Sequence, residues 1–83
     1  MLHRYWFRFE ESSEPSILNT GCGVTALNEE DARRLVREGV FPIFGARAII
    51  DVVSDVDVST LDQGHVIPNM ISPLPRGVWF PRL

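Results

Sequence analysis

Apolar and polar side chains alternate through the first residues of the chain, LHRYWFRFE at positions 2–10. Alternation with a period of two, together with several aromatic residues, is typical of a half-buried β-strand. One face of this strand carries His3, Tyr5, Phe7 and Phe9, and the other carries Leu2, Arg4, Trp6, Arg8 and Glu10. We expect the aromatic face to enter the core and the face with Trp6 between Arg4 and Arg8 to point outward.

The pattern changes to that of a helix after residue 27. Asn28 is a favourable N-cap, and the three acidic residues 29–31 follow it in the first turn, where the helix dipole favours anions. A narrow apolar stripe runs along one side, at Ala32, Leu35 and Val36. Gly39 stands where a glycine commonly ends a helix, so residues 40–45 are interpreted as an apolar connector.

Three further segments have the composition of strands: residues 17–26, 47–58 and 76–81. The glycines at 21 and 23 indicate a bulge or a close approach of the backbone. Residues 65–67 are interpreted as one more short extended piece. The order predicts an α+β fold, with a small, mostly antiparallel sheet of three or four strands and one helix packed on one face. A β-grasp-like arrangement, hairpin then helix then hairpin, is the alternative.

The size of the chain restricts the fold further. Its 83 residues fit one small domain, with a proline-rich C-terminal segment at 68–83. Large nucleotide-binding and barrel folds need far more chain. Hydrophobic residues make up 45% and charged residues 23%, which is the composition of a folded domain rather than a disordered one.

The single cysteine, Cys22, excludes an intramolecular disulfide. The N-terminus lacks the pattern of a signal peptide, and no apolar run approaches the length of a membrane span. The sequence therefore predicts a cytoplasmic protein without a membrane partner. The formal charge of −3 is too mild to indicate a nucleic-acid binder.

The acidic segment 51–62 only partly matches a known metal-binding pattern. The spacing of Asp55, Asp57 and Ser59 matches the start of a calcium loop, but the glycine and glutamate that such a loop requires are replaced by Thr60 and Val66. A weak divalent-cation site from Asp55, Asp57 and Asp62 is the less favoured interpretation. The favoured one is an acidic strand edge exposed to solvent, where charges deter aggregation. We expect no metal and no cofactor.

Nucleophilic catalysis also lacks a supporting motif. Cys22 and His65 could form a nucleophile–base pair, with Asp57 or Asn69 orienting the histidine. Nothing in their spacing favours this pair over a small buried cysteine and a histidine in a turn. We therefore predict no catalytic residues and rank a minimal Cys/His enzyme as the least favoured function.

The candidate binding surface is the outward face of the first strand, Arg4, Trp6 and Arg8. Tryptophan and arginine are common anchors of protein interfaces, and the same group could also stack a base or hold a phosphate. In a competing account, the C-terminal segment covers Trp6 through Trp79 or Pro81. The candidate binding residues are Arg4, Trp6, Arg8, Asp55, Asp57 and Trp79.

Charge is unevenly distributed along the chain. Four aspartates and no basic residue lie in residues 51–62, whereas two arginines lie near each end, at 4 and 8 and at 76 and 82. This distribution predicts a weak homodimer, which added salt would loosen.

The blocks GCGVTA, DVDVSTLD, GHVIPNM and RGVWFPR resemble those of a type of short bacterial protein with no assigned activity. The resemblance covers most of residues 4–82 and implies no functional residues. The predicted function is a non-catalytic protein-interaction module of an accessory, regulatory or immunity type, with another protein as partner. The alternative is a domain that binds a small ligand or nucleic acid through the Arg/Trp face, and nucleic acid ranks behind protein as a partner.

Overall fold

The first strand, β1 (His3–Phe9), lies inside a four-stranded antiparallel sheet in the computed structural model, which describes residues 1–83. The other strands are β2 (Cys22–Ala26), β3 (Ile49–Ser54) and β4 (Gly77–Phe80). The helical part is α1 (Glu29–Leu35), followed by a π-helical turn (Val36–Val40) and α2 (Phe41–Phe44). The predicted α+β class is confirmed.

The strand order across the sheet is β3-β1-β2-β4, and every neighbouring pair is antiparallel. The second hairpin of the β-grasp-like alternative does not form, because β3 and β4 lie at opposite edges. β3 and β4, although consecutive along the chain, therefore do not pair with each other. β1 and β2 form the buried centre of the sheet.

The helical segment covers one face of the sheet, as the sequence predicted. Tyr5, Phe7 and Phe9 are buried there against Val36 and Val40. The Asn28 side chain caps α1, accepting the backbone N–H of Asp31 at 2.8 Å. The expected inward face of β1 and the expected N-cap are both confirmed.

The helix does not end at Gly39, so the connector expected at 40–45 is wrong. The backbone continues in helical form through the π-helical turn and α2 and leaves it at Gly45, whose φ is +94°. Burial explains the continuation, because Val40 is fully buried and Phe41 and Phe44 pack against the same core. Apolar contacts thus outweigh the preference of Gly39 for a helix end.

The remaining extended segments are shorter than the sequence predicted. β3 stops at Ser54 rather than 58, because Asp55 takes a positive φ of 53°. The segment before β2 begins with a 3₁₀ turn (Ile17–Asn19), and residues 65–67 are not extended but lead into another (Ile67–Asn69). Between them a third turn spans Val58–Thr60.

Residues 56–70 form a strap of turns across the other face of the sheet. Five apolar side chains of the strap pack against Trp6, Trp79 and Phe80: Val56, Val58, Leu61, Val66 and Met70. Two backbone hydrogen bonds anchor this region, from Val56 N–H to the Arg4 carbonyl and from Ile71 N–H to the Trp79 carbonyl, each 3.0 Å. The sheet therefore has a core on both faces.

Candidate interaction surface

Trp6 is buried, so the exposed platform expected on β1 is wrong. The residue is only 7% exposed, and Trp79, another candidate binding residue, is 1% exposed. The Trp6 ring lies 5.9 Å from that of Trp79 and 5.7 Å from that of Phe80, between ring centroids. The competing account, in which C-terminal residues cover Trp6, describes the structure better, and the strap completes the cover.

Gly21, just before β2, and Gly23, within it, make room for these indole rings. A Cβ atom at Gly21 would lie 2.5 Å from a ring carbon of Trp6, and one at Gly23 would overlap the ring of Trp79. The sequence indicated a close approach at these positions but not the partner. The close packing leaves Trp79 Nε1 buried without a hydrogen-bond partner in the protein.

Arg4 and Arg8 flank the covered tryptophan without an exposed aromatic ring beside them. Arg4 is half-buried, Arg8 is exposed, and neither guanidinium forms an ion pair. In the sheet register Arg4 lies across from Thr25, and Arg8 lies across from Asp51. The face retains positive charge but has lost the group that would stack a base.

The acidic candidates do not form one site. Asp55 Oδ1 accepts a hydrogen bond from His3 Nδ1 at 2.8 Å. Asp57 accepts the backbone N–H and the hydroxyl of Ser59, and these bonds lower the pKa of its carboxyl group. Asp62 similarly accepts the N–H groups of Gly64 and His65, which lower its pKa. No group of three metal-ligating side chains is present, and Asp55 and Asp57 lie beyond the strand edge they were expected to protect.

Cys22 and His65 are also apart. Cys22 is fully buried in the core on the helix side, whereas His65 is exposed on the strap. Burial raises the pKa of the Cys22 thiol to about 12, which suppresses the thiolate needed for nucleophilic attack. His65 Nδ1 contacts Asp62 instead, at 3.2 Å.

The structure contains an ion pair that the sequence analysis missed, between the buried carboxylate of Asp31 and the exposed side chain of Arg76. Asp31 is 9% exposed and accepts two hydrogen bonds from Arg76, at 2.6 and 2.9 Å. Its carboxylate also accepts the backbone N–H of Leu27 at 3.1 Å and contacts Arg34 at 3.2 Å. The sequence showed Asp31 only as one acid of a helical first turn, and no local pattern indicated Arg76 as its partner.

The surface depressions do not contain the candidate residues. One, of about 290 Å³, is lined mainly by polar residues of α1, its N-cap and the π-helical turn, all within residues 27–37. The other, of about 570 Å³, lies between residues 12–17, the end of α2 and Pro81. Neither is lined by Arg4, Arg8, Cys22 or His65, so no pocket supports ligand chemistry at these residues.

The edges of the sheet differ. At the β4 edge, Ile71 N–H donates to the Trp79 carbonyl, so the segment before β4 runs along it. β3 pairs with β1 on one side and has no neighbour on the other. The β3 edge is therefore the open edge of this sheet.

Hydrogen bonds at the two ends of β1 show how its backbone faces β3. Val56 N–H donates to the Arg4 carbonyl at 3.0 Å, and Glu10 N–H donates to the Ala48 carbonyl at 2.9 Å. Since backbone groups alternate in direction along a strand, the even-numbered residues of β1 turn their backbone groups toward β3.

The same alternation assigns the backbone groups of β3. Val53 and Asp51 are the register partners of Trp6 and Arg8, so they direct their N–H and C=O groups to β1. Val52 and Ser54 consequently direct theirs outward, to the open edge. These outward groups can accept a further strand without loss of any hydrogen bond inside the domain.

The side chains beside this edge are apolar and acidic. Ile50 is 60% exposed and Val53 is 40% exposed. Asp51 is exposed and its carboxylate forms no hydrogen bond or ion pair, although Arg8 lies across from it. The open edge thus combines unpaired backbone groups with apolar area and a free negative charge.

Comparisons with protein-family models, with curated proteins and with solved structures found no match. The resemblance to short bacterial proteins stays a prediction. None of the helices has the length and hydropathy needed to cross a membrane.

Proposed function

We propose that this domain is a non-catalytic protein-interaction module that binds an extended segment of another protein along the open edge of β3. The observation that carries the proposal is the set of outward backbone groups at Val52 and Ser54, beside the exposed side chains of Ile50 and Val53. Addition of a strand to an open edge is a common mode of peptide recognition, in which main-chain hydrogen bonds supply affinity. An accessory, regulatory or immunity role is compatible with such a module.

The sequence of β3 favours binding of a further strand over protection of the edge against aggregation. Natural edge strands are usually blocked by lysines, prolines, a covering segment, inward-pointing charges or β-bulges. β3 has one irregularity of its register with β1, at Ile50, which lies before the outward groups of Val52 and Ser54. Residues 49–54 contain neither lysine nor proline, and no segment covers their outer side. Their one charge, on Asp51, leaves most of the edge apolar.

Each alternative function depends on a residue that the structure buries. Burial of Trp6 removes the stacking group from the proposed ligand or nucleic-acid face. Burial of Cys22, with its raised thiol pKa, removes the nucleophile of the proposed enzyme. A buried lone cysteine is in keeping with the cytoplasmic location expected from the sequence.

Proline at position 54 provides a direct test. Ser54 directs its N–H outward, so Ser54→Pro removes one donor from the open edge and no bond to β1. Ser54→Ala is the matched control, because it removes the hydroxyl and keeps the N–H group. Short peptides selected by display against the wild-type domain are the probes.

We expect the selected peptides to protect the Val52 and Ser54 amides from hydrogen exchange. They should bind Ser54→Ala as they bind the wild type and lose most of their affinity for Ser54→Pro. Unchanged tryptophan fluorescence of the free variants shows that the core around Trp6 and Trp79 is intact. Protection located away from β3, or equal binding to both variants, would refute edge docking.

A further inference from the structure

We infer that the segment received by β3 runs antiparallel to it and contains an apolar residue, any residue and then a basic residue, in that order. This inference rests on the proposed function, and adds to it the chemistry and direction of the partner. The order of residues follows from the positions at which β3 side chains lie closest to the side chains of an incoming strand.

Asp51 and Val53 occupy those positions. The backbone N–H and C=O groups of Asp51 and Val53 point to β1. These two residues therefore form no backbone hydrogen bonds with a new strand added at the open edge. In an antiparallel pair, the residues opposite each other at such positions approach more closely than at the hydrogen-bonded ones. The side chains opposite Asp51 and Val53 therefore contribute most to selectivity.

The two positions require different chemistry. Val53 is 40% exposed and lies next to Trp6 in the sheet, so an apolar side chain opposite it extends the apolar surface. Asp51 has an unpaired carboxylate, so a lysine or arginine opposite it forms a favourable cross-strand pair. An antiparallel strand passes Val53 before it reaches Asp51, which sets the order apolar, any residue, basic.

Charge also disfavours a second copy of this chain as the occupant. Antiparallel pairing of two β3 strands centred on Asp51 would place the two carboxylates opposite each other. Pairing centred on Val52 would place each Asp51 opposite Val53, so neither carboxylate would gain a basic partner from the other copy. In both registers the acidic segments 51–57, which contain no basic residue, come together.

The experiment compares peptides that differ only at these two positions. Each has the same threonine-rich flanks around Val-Thr-Arg, Val-Thr-Gln, Val-Thr-Glu or the reversed Arg-Thr-Val. Amide chemical shifts of the whole domain are followed during titration. The reversed peptide has the composition of the first, so it separates order from overall charge.

We expect Val-Thr-Arg to shift the Val52 and Ser54 amides and to bind about fivefold more tightly than Val-Thr-Gln. Val-Thr-Glu and Arg-Thr-Val should bind more weakly than Val-Thr-Arg. In Asp51→Asn the advantage of arginine over glutamine should disappear, while Glu30→Gln, an equal change of charge on α1, should retain it. Added salt should reduce the advantage.

The outcomes distinguish this inference from the function on which it rests. Equal binding of all four peptides at β3 would overturn the selectivity and leave edge docking intact. Tighter binding of Arg-Thr-Val would overturn the antiparallel order. Shifts of β3 amides that depend on protein concentration without peptide would identify a second copy as the occupant and overturn the inference. No shift at β3 with any peptide would count against both proposals.

Discussion

Asp31 and Arg76 connect the start of α1 to the residue before β4, through two hydrogen bonds of 2.6 and 2.9 Å. The Asp31 carboxylate also accepts the backbone N–H of Leu27, so one buried side chain holds three parts of the chain together. This pair closes the β4 side of the domain, opposite the open edge at β3.

Acid should weaken the domain through Asp31. The hydrogen bonds from Arg76 and from the Leu27 backbone hold the pKa of this carboxyl group well below its usual range. A lowered pKa in the folded state gives stability that is complete above the unfolded value of about 4 and is lost as the pH falls through the folded value. We expect the urea midpoint to fall below about pH 4, and to fall less steeply in Asp31→Asn, although that variant is less stable at neutral pH. If the urea midpoint of Asp31→Asn fell with pH as steeply as that of the wild type, Asp31 would not be the group responsible. Glu30→Gln is the control for loss of one surface acid.

Gly23→Ala should destabilise the domain because the new methyl group would overlap the Trp79 ring. Overpacking of this kind costs about 1–3 kcal/mol. Gly64→Ala is the matched control, since a Cβ atom there meets only Asp62 Oδ1, at 3.4 Å. Denaturant unfolding measures both, and a Gly23→Ala midpoint equal to that of Gly64→Ala would show that Trp79 is not held against β2.

Trp6→Ala should cost about 3–5 kcal/mol, the loss typical of a core aromatic residue. Phe7→Ala, on the opposite face of the same strand, should cost a similar amount because both faces of the sheet are covered. Ile50→Ala should change the free energy of unfolding by less than about 0.5 kcal/mol, because Ile50 lies on the surface. If Trp6→Ala behaved like Ile50→Ala in denaturant unfolding, Trp6 would be an exposed residue after all.

Cys22 should resist thiol reagents in the folded protein. The group is fully buried and its pKa is raised to about 12, so the reactive thiolate is scarce and inaccessible. We expect labelling by a maleimide to be slow in buffer and complete in denaturant. Rapid labelling of folded protein, with the tryptophan fluorescence unchanged, would restore Cys22 as a candidate reactive group.

The sequence alone determined the local features of this protein. Alternation in β1 correctly assigned Tyr5, Phe7 and Phe9 to the core, and Asn28 correctly marked the start of α1. These features depend on side-chain periodicity and on hydrogen bonds between residues a few positions apart, which a sequence displays directly.

The tertiary structure determined which side chains are exposed and which are covered. Alternation assigned Trp6 and Phe9 to opposite faces of β1 but could not show that a second layer covers the Trp6 face. The strap has no periodicity, and its contacts with Trp6 join residues about 50–60 positions apart. The Asp31–Arg76 pair likewise spans 45 positions. Such contacts depend on how the whole chain packs. Burial of apolar area is non-directional, so spacing in sequence does not reveal which residues cover Trp6. Arg76 likewise meets Asp31 only because the sheet brings the start of β4 close to the start of α1.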